Sequence, residues 1–246
     1  MSTLPIVLLH GAGGSYQATF VDAGWVGAIE AAGRSPIGVE LPGHSSATAS
    51  RNPSDYADLT GLLIPTLPPG RFDAVGFSLG AKLLLELALR VPARIGRMVL
   101  GGIGDNVFAP ELVATAVAEA LEHGPTPTTP PPVLAFLRTW KPGNTDPLAL
   151  AAVMRRPANP VFSHERLAAL GLPVLIVNGE RDPVVALGQQ LAASLKNARS
   201  VTVPNAAHFD LPKHEAFISA AIAFLTKGDG ARAARPDQET NVRLNS

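Results

Sequence analysis

Between a short apolar run and a long amphipathic stretch the chain reads GFSLG, Gly76 to Gly80. A serine on a sharp strand-to-helix turn is held in strained backbone geometry, with its hydroxyl pushed out above the sheet. Glycine two residues to either side meets the close approach of the strand and helix backbones. The turn also places Ser78 at a helix N-terminus, where free N–H groups and the helix dipole favour a developing negative charge. The chemistry open to such a residue is nucleophilic attack. The competing reading is a serine N-cap with incidental glycines. The flanking FDAVGF and SLGAKLLLELALRV favour the nucleophile, because they supply the strand and the helix that the turn needs.

A serine hydroxyl is a poor nucleophile at neutral pH; it needs a base, and the base needs an orienting group. Six histidines are present: His10, His44, His123, His164, His208 and His214. Only His208, in VPNAAHFD, follows the last apolar run on a loop before the final helical pattern, and it is the candidate base. The orienting carboxylate is Asp182 in NGERDPVV, with Pro183 extending the loop behind it. Glu180 on the same turn and Asp105 after LGGIG compete with it. The resulting chain order is Ser, Asp, His. Near the N-terminus VLLHGAGGS packs Gly11, Gly13 and Gly14 around Ala12, so backbone N–H groups can approach a ligand. Donors to a tetrahedral oxyanion would be the N–H of Leu79, next to the nucleophile, and that of Ala12, with Gly13 as the alternative. His10 belongs to this loop and His44 to the turn LPGHSS.

These groups need a scaffold, and the rest of the chain supplies one. Apolar runs recur at LPIVLLH, SPIGVEL, FDAVGF, RMVLGGI, LPVLIVNG and ARSVTVP, continuous and not alternating, as in strands covered on both faces. Helical patterns separate most of them, the rhythm of an open α/β fold. On SLGAKLLLELALRV the polar residues Lys82, Glu86 and Arg90 form one narrow stripe, so the rest of that helix is expected to be packed. HEAFISAAIAFLTK predicts a second helix near the end. Residues 106–169 carry no buried strand, only amphipathic pieces joined by PTPTTPPP, a stiff stretch that is not expected within a helix. An insertion of this kind usually lies over the carboxyl ends of the strands, and is read as a cap. Its Phe136, Trp140, Val133 and Leu137 could line an apolar pocket or form the cap's own core. Arg138, Arg155 and Arg156 read as solvated or ion-paired. After Lys227 the sequence is polar and aperiodic, a tail.

Composition narrows the partners. Twenty Lys and Arg against 20 Asp and Glu give no net charge, which disfavours nucleic acid and anionic membranes. The absence of cysteine removes disulfides, thiolate metal sites and a cysteine nucleophile. No histidine or carboxylate cluster has ligand spacing, so no metal is expected. The N-terminus lacks a basic region and a cleavage site and reads as a strand, and no apolar window of ~18 residues predicts a membrane span. The expectation is a cytoplasmic protein, a monomer or homodimer, acting on a small molecule.

HGAGGS, GFSLG, NGERDPV and NAAHF, in this order on alternating strands and helices, together resemble the α/β-hydrolase superfamily from Leu4 to about Lys227. The resemblance implies a mainly parallel sheet of about six strands with helices on both faces. It divides the chain into core residues 1–105, cap 106–169, core 170–227 and tail 228–246. It implies a Ser78–His208–Asp182 triad, an oxyanion site at Ala12 and Leu79, and substrate contacts at Gly11, Gly13, Phe136 and Trp140. The implied activity is cleavage of carboxylic esters or lactones through an acyl-enzyme, without a cofactor. Alternatives on the same scaffold are a carbon–carbon bond hydrolase, a cofactor-free perhydrolase or a non-catalytic ligand receptor. No lysine stands beside His208 or Asp182 as in the related hydroxynitrile lyases. Two departures are notable: no antiparallel hairpin precedes HGAGG, and Ala81 follows the serine turn where a second glycine is common. ELPGHSS, with Glu40 in place of aspartate, is read as structural.

Overall fold

A computed structural model describes residues 4–44, 49–109, 113–140, 145–157, 162–185 and 189–227. The tail at 228–246 lies outside these residues. All six apolar runs become strands: β1 (Ile6–Leu9), β2 (Pro36–Val39), β3 (Phe72–Phe77), β4 (Ile95–Gly101), β5 (Val174–Gly179) and β6 (Ala198–Val203). They form one sheet in the order β2-β1-β3-β4-β5-β6, and every neighbouring pair is parallel. Successive side chains of a strand point to opposite faces. Val7, Leu9, Ala74 and Leu100 therefore enter one core, while Ile6, Leu8, Val75 and Val99 enter the other. Helix α3 (Leu79–Arg90) packs in the first core; Trp25 and Ile29 of α1 (Trp25–Ala31) and Phe217 and Ala221 of α9 (Glu215–Thr226) pack in the second. Helices on both faces explain why β1, β3 and β5 are apolar without alternation. Strand β6 departs from that expectation. At the sheet edge, four of its central residues are exposed, and only Val203 is buried.

The wet stripe of α3 is as the spacing predicts: apart from Leu89, only Lys82, Glu86 and Arg90 escape full burial. Arg90 pairs with Glu86 one turn back at 3.0 Å and with Asp58 at 2.8 Å. At the amino edge of the sheet Asp73 and Arg34 are both buried and lie 2.6 Å apart. Arg34 also donates to the carbonyls of Leu4 and Leu225, which ties α9 to the strand ends.

Between β4 and β5 lie α4 (Ala114–His123), α5 (Pro131–Thr139), α6 (Pro147–Arg155) and α7 (His164–Ala168). Val117 and Ala120 of α4, Val133 and Phe136 of α5 and Leu150 of α6 form a common core, whereas Leu167 of α7 joins the core that holds α3. Val133 and Leu137 belong to the core shared by α4, α5 and α6 and do not line the cavity described below. The proline stretch corrects an expectation: Pro131 and Pro132 form the first turn of α5. A missing N–H is no loss there, because first-turn amides have no helical acceptor. The remaining α-helices among the described residues are the short α2 (Leu59–Leu63) and α8 (Gln189–Ser194).

Candidate active site

Strand β3 ends at Phe77 and α3 begins at Leu79, so Ser78 alone makes the turn. Its φ of 52° and ψ of −113° place it with Asn205 as the two non-glycine residues of positive φ among those described. Such a conformation costs of order 1–3 kcal/mol and persists only where the surroundings impose it. The surroundings here are tight. A Cβ on Gly76 would lie 2.6 Å from the carbonyl oxygen of Gly80 and 2.7 Å from Ala81 Cα. Gly80 meets a different neighbour from the one its spacing implies. A Cβ there would lie 2.2 Å from the carbonyl oxygen of Leu9 and 2.5 Å from that of His10, so the start of α3 presses on the end of β1.

The loops after β5 and β6 bring the other two groups to the serine. His208 Nε2 lies 3.0 Å from Ser78 Oγ, and His208 Nδ1 lies 2.7 Å from Asp182 Oδ2. Both His208 and Asp182 are buried. The second carboxylate oxygen of Asp182 accepts from the N–H groups of Val184 and Val185, which fixes the carboxylate plane. The competing acids are engaged elsewhere. Asp105 Oδ1 accepts from Leu191 N–H, and Glu180 Oε2 accepts from Asn205 N–H. The other histidines are likewise placed apart from Ser78: His123 is exposed beside Glu122, His164 bonds Ser194, and His214 caps α9.

The glycine loop after β1 lies against the serine, for a Cβ on Gly11 would be 3.2 Å from Ser78 Cβ. Two of its amides are already taken: Gly14 N–H donates to the Gly11 carbonyl at 3.0 Å, and Gly13 N–H donates to His44 Nε2 at 3.0 Å. Among the described residues the N–H groups of Ala12 and Leu79 have no recorded acceptor. Buried His10 supports the loop from below. Its Nδ1 lies 2.8 Å from Gly11 O, and its Nε2 lies 3.1 Å from Leu41 N and 2.9 Å from Glu40 Oε2.

A cavity of about 880 Å³ opens over Ser78, His208 and the glycine loop. Gly11, Gly13, Phe136 and Trp140 line it, as does Arg138. Phe136 and Trp140 sit directly on Gly13: a Cβ there would be 2.8 Å from Phe136 Cζ and 2.9 Å from Trp140 Cδ1. Phe209 completes this wall, 6.4 Å from Phe136 and 5.1 Å from His208 between ring centroids. The sequence offered little warning of Phe209 beyond its place next to His208. Arg138 is exposed, as its reading as solvated or paired expects, and stands at the cavity's rim, whereas Arg155 pairs with Glu122. Among the described residues no three His, Asp or Glu side chains converge on a metal position, and no helix is long and apolar enough to cross a membrane.

Comparison with known proteins places this geometry in a family. The esterase RhEst1 from Rhodococcus sp. ECU1013 is 23% identical with a TM-score of 0.68, over 92% of this chain and 91% of that one. The enol-lactonase from Burkholderia xenovorans LB400 is 22% identical with a TM-score of 0.69, over 92% and 93%. A putative non-heme bromoperoxidase, BpoC from Mycobacterium tuberculosis H37Rv, is 23% identical with a TM-score of 0.65, over 92% of each chain. At these identities the likeness speaks for the fold alone. The alpha/beta hydrolase family model matches residues 6–220, and the chain belongs to that family.

Proposed function

We propose that this hydrolase cleaves carboxylic esters, lactones among them, through an acyl-enzyme on Ser78. The observation that carries the reading is the hydrogen-bonded chain from Asp182 through His208 to Ser78, opening into a cavity beside two N–H groups that meet no acceptor among the described residues. His208 Nε2 takes the hydroxyl proton as Ser78 Oγ attacks the ester carbonyl. Asp182 accepts from Nδ1–H, holds the productive tautomer and stabilises the imidazolium. The N–H groups of Leu79 and Ala12 receive the oxyanion, each worth about 3 kcal/mol of barrier. His208 then protonates the leaving alcohol and activates water to release the acid. Helices α4 to α7 act as a cap, with Phe136 and Trp140 excluding water over the glycine loop. An esterase and an enol-lactonase share this fold, so the scaffold accommodates the proposed reaction class.

Hydrolysis of p-nitrophenyl esters of graded acyl length, and of simple lactones, tests the proposal with Ser78→Ala as the control. Turnover that disappears in the variant supports it. Tight ligand binding without turnover in the native protein would mark a receptor instead.

A further inference from the structure

The glycine loop and the turn after β2 are tied to each other twice, in opposite senses. His10, from the first loop, faces Leu41 N–H of the second; His44, from the second, accepts from Gly13 N–H of the first. The two imidazoles meet edge to face, 5.1 Å apart. Sequence spacing marks ELPGH as a turn and nothing more; the bond from Gly13 to His44 gives it a part in the site.

We propose that His44 is a positioning residue for the oxyanion site: by holding Gly13 N–H it fixes the Ala12–Gly13 peptide and leaves Ala12 N–H as the loop's donor. The proposal rests on the reading of Ser78 as an acylating nucleophile. A peptide is planar, so the Gly13 N–H and the Ala12 carbonyl turn together. Gly13 has a φ of 69°, and glycine crosses between such conformations with little steric hindrance. With its N–H released, this peptide could rotate and change the direction of the Ala12 carbonyl, placing an acceptor where a donor is required. His44 is suited to prevent that rotation. Its Nδ1 donates to the Pro42 carbonyl at 3.1 Å, which leaves the lone pair on Nε2 for Gly13. Burial first, and the neighbouring His10 second, push its pKa down to about 3, so the ring stays neutral and accepting. The turn itself is clamped. Gly43 has a φ of 78°, and a Cβ there would lie 2.2 Å from Val153 Cγ2 of α6 and 3.1 Å from the Tyr56 ring.

The test compares His44→Leu, His44→Gln and His44→Asn by kcat and KM on p-nitrophenyl acetate, by the rate of Ser78 labelling with a fluorophosphonate, and by thermal unfolding. Gln presents an acceptor near the place of Nε2, whereas Asn reaches only as far as Nδ1. For Leu and Asn, kcat and the labelling rate should fall about tenfold to a hundredfold with KM nearly unchanged, the loss a displaced donor produces. Gln should recover most of that loss. Should Leu not fold, the contrast between Gln and Asn carries the same test. Native kcat in Leu or Asn overturns the proposal, as does a loss that Gln shares with Asn in folded protein. If the native protein neither hydrolyses esters nor is labelled at Ser78, the hydrolase reading falls and takes this one with it.

Discussion

Two serine–histidine pairs at hydrogen-bond distance occur among the described residues. Ser78 Oγ and His208 Nε2 are 3.0 Å apart; Ser194 Oγ and His164 Nδ1 are closer, at 2.6 Å. Distance alone would rank the second pair above the first. Ser194 ends α8, and its hydroxyl donates to the Gln190 carbonyl one turn back. Its proton is therefore committed to the helix, and its oxygen accepts from the imidazole. His164 is exposed, stacked on Phe108 at 4.2 Å, and among the described residues no carboxylate is recorded within ion-pair distance of it. Ser78 differs on each count: it occupies a turn of positive φ, faces a histidine already held by a buried carboxylate, and opens into a cavity. The difference teaches that what a serine's proton and its histidine are engaged in separates the two pairs where proximity does not, and it is this that favours Ser78 in the proposed reaction.

Replacement of the two serines should separate the pairs most widely. Ser78→Ala should lower ester turnover by about 10⁶-fold, the scale seen when a triad serine is lost. Ser194→Ala should leave initial rates on p-nitrophenyl butyrate unchanged; a matching loss there would erase the distinction. Asp182→Asn comes next. It should cost about 10⁴-fold in kcat, because an amide does not hold the imidazole in its productive tautomer. His164→Gln, which has no such acid behind it, should not alter the rate.

Protonation sharpens the contrast between buried and exposed histidines. His44, with a folded pKa near 3 against an ordinary 6.5, stays neutral while the unfolded chain takes up a proton. Stability should therefore fall as pH drops from 6.5 toward about 3, by at most about 1.4 kcal/mol per pH unit from this group. Urea unfolding of the native protein and of His44→Gln across that window checks the sign: the variant should have the flatter profile. The smallest effect belongs to Ser194→Ala again, now in stability. Loss of the hydroxyl's bonds to the Gln190 carbonyl and His164 should cost about 1 kcal/mol by the same unfolding measurement.

The legible parts of the molecule are those governed by neighbours in sequence. FDAVGF and SLGAKLLLELALRV adjoin, so their apolar patterns specify β3, the turn at Ser78 and α3 with its stripe of Lys82, Glu86 and Arg90. The six-stranded parallel sheet follows from the same kind of pattern. Less legible were ARSVTVP, whose apolar look conceals an exposed edge strand, and PTPTTPPP, whose last two prolines open a helix. Composition does not reveal which strand lacks a neighbour, nor whether a proline falls in a first turn. Phe209's place in the cavity wall and the bond from His44 to Gly13 were invisible for a related reason: each depends on segments far apart in the chain.

The sequence by itself determined the α/β architecture, a serine on a strand-to-helix turn, and a short set of histidines and carboxylates that could serve it. Local sterics and hydrophobic periodicity act over a few residues and are written into their order. Only the tertiary structure decided that Asp182, not Asp105 or Glu180, meets His208, and that Gly13 N–H is occupied while Ala12 N–H meets no acceptor among the described residues. Those outcomes rest on hydrogen bonds a few ångströms long between loops from different strands. Their partners are selected by how the sheet brings the strand ends together, which no spacing along the chain encodes.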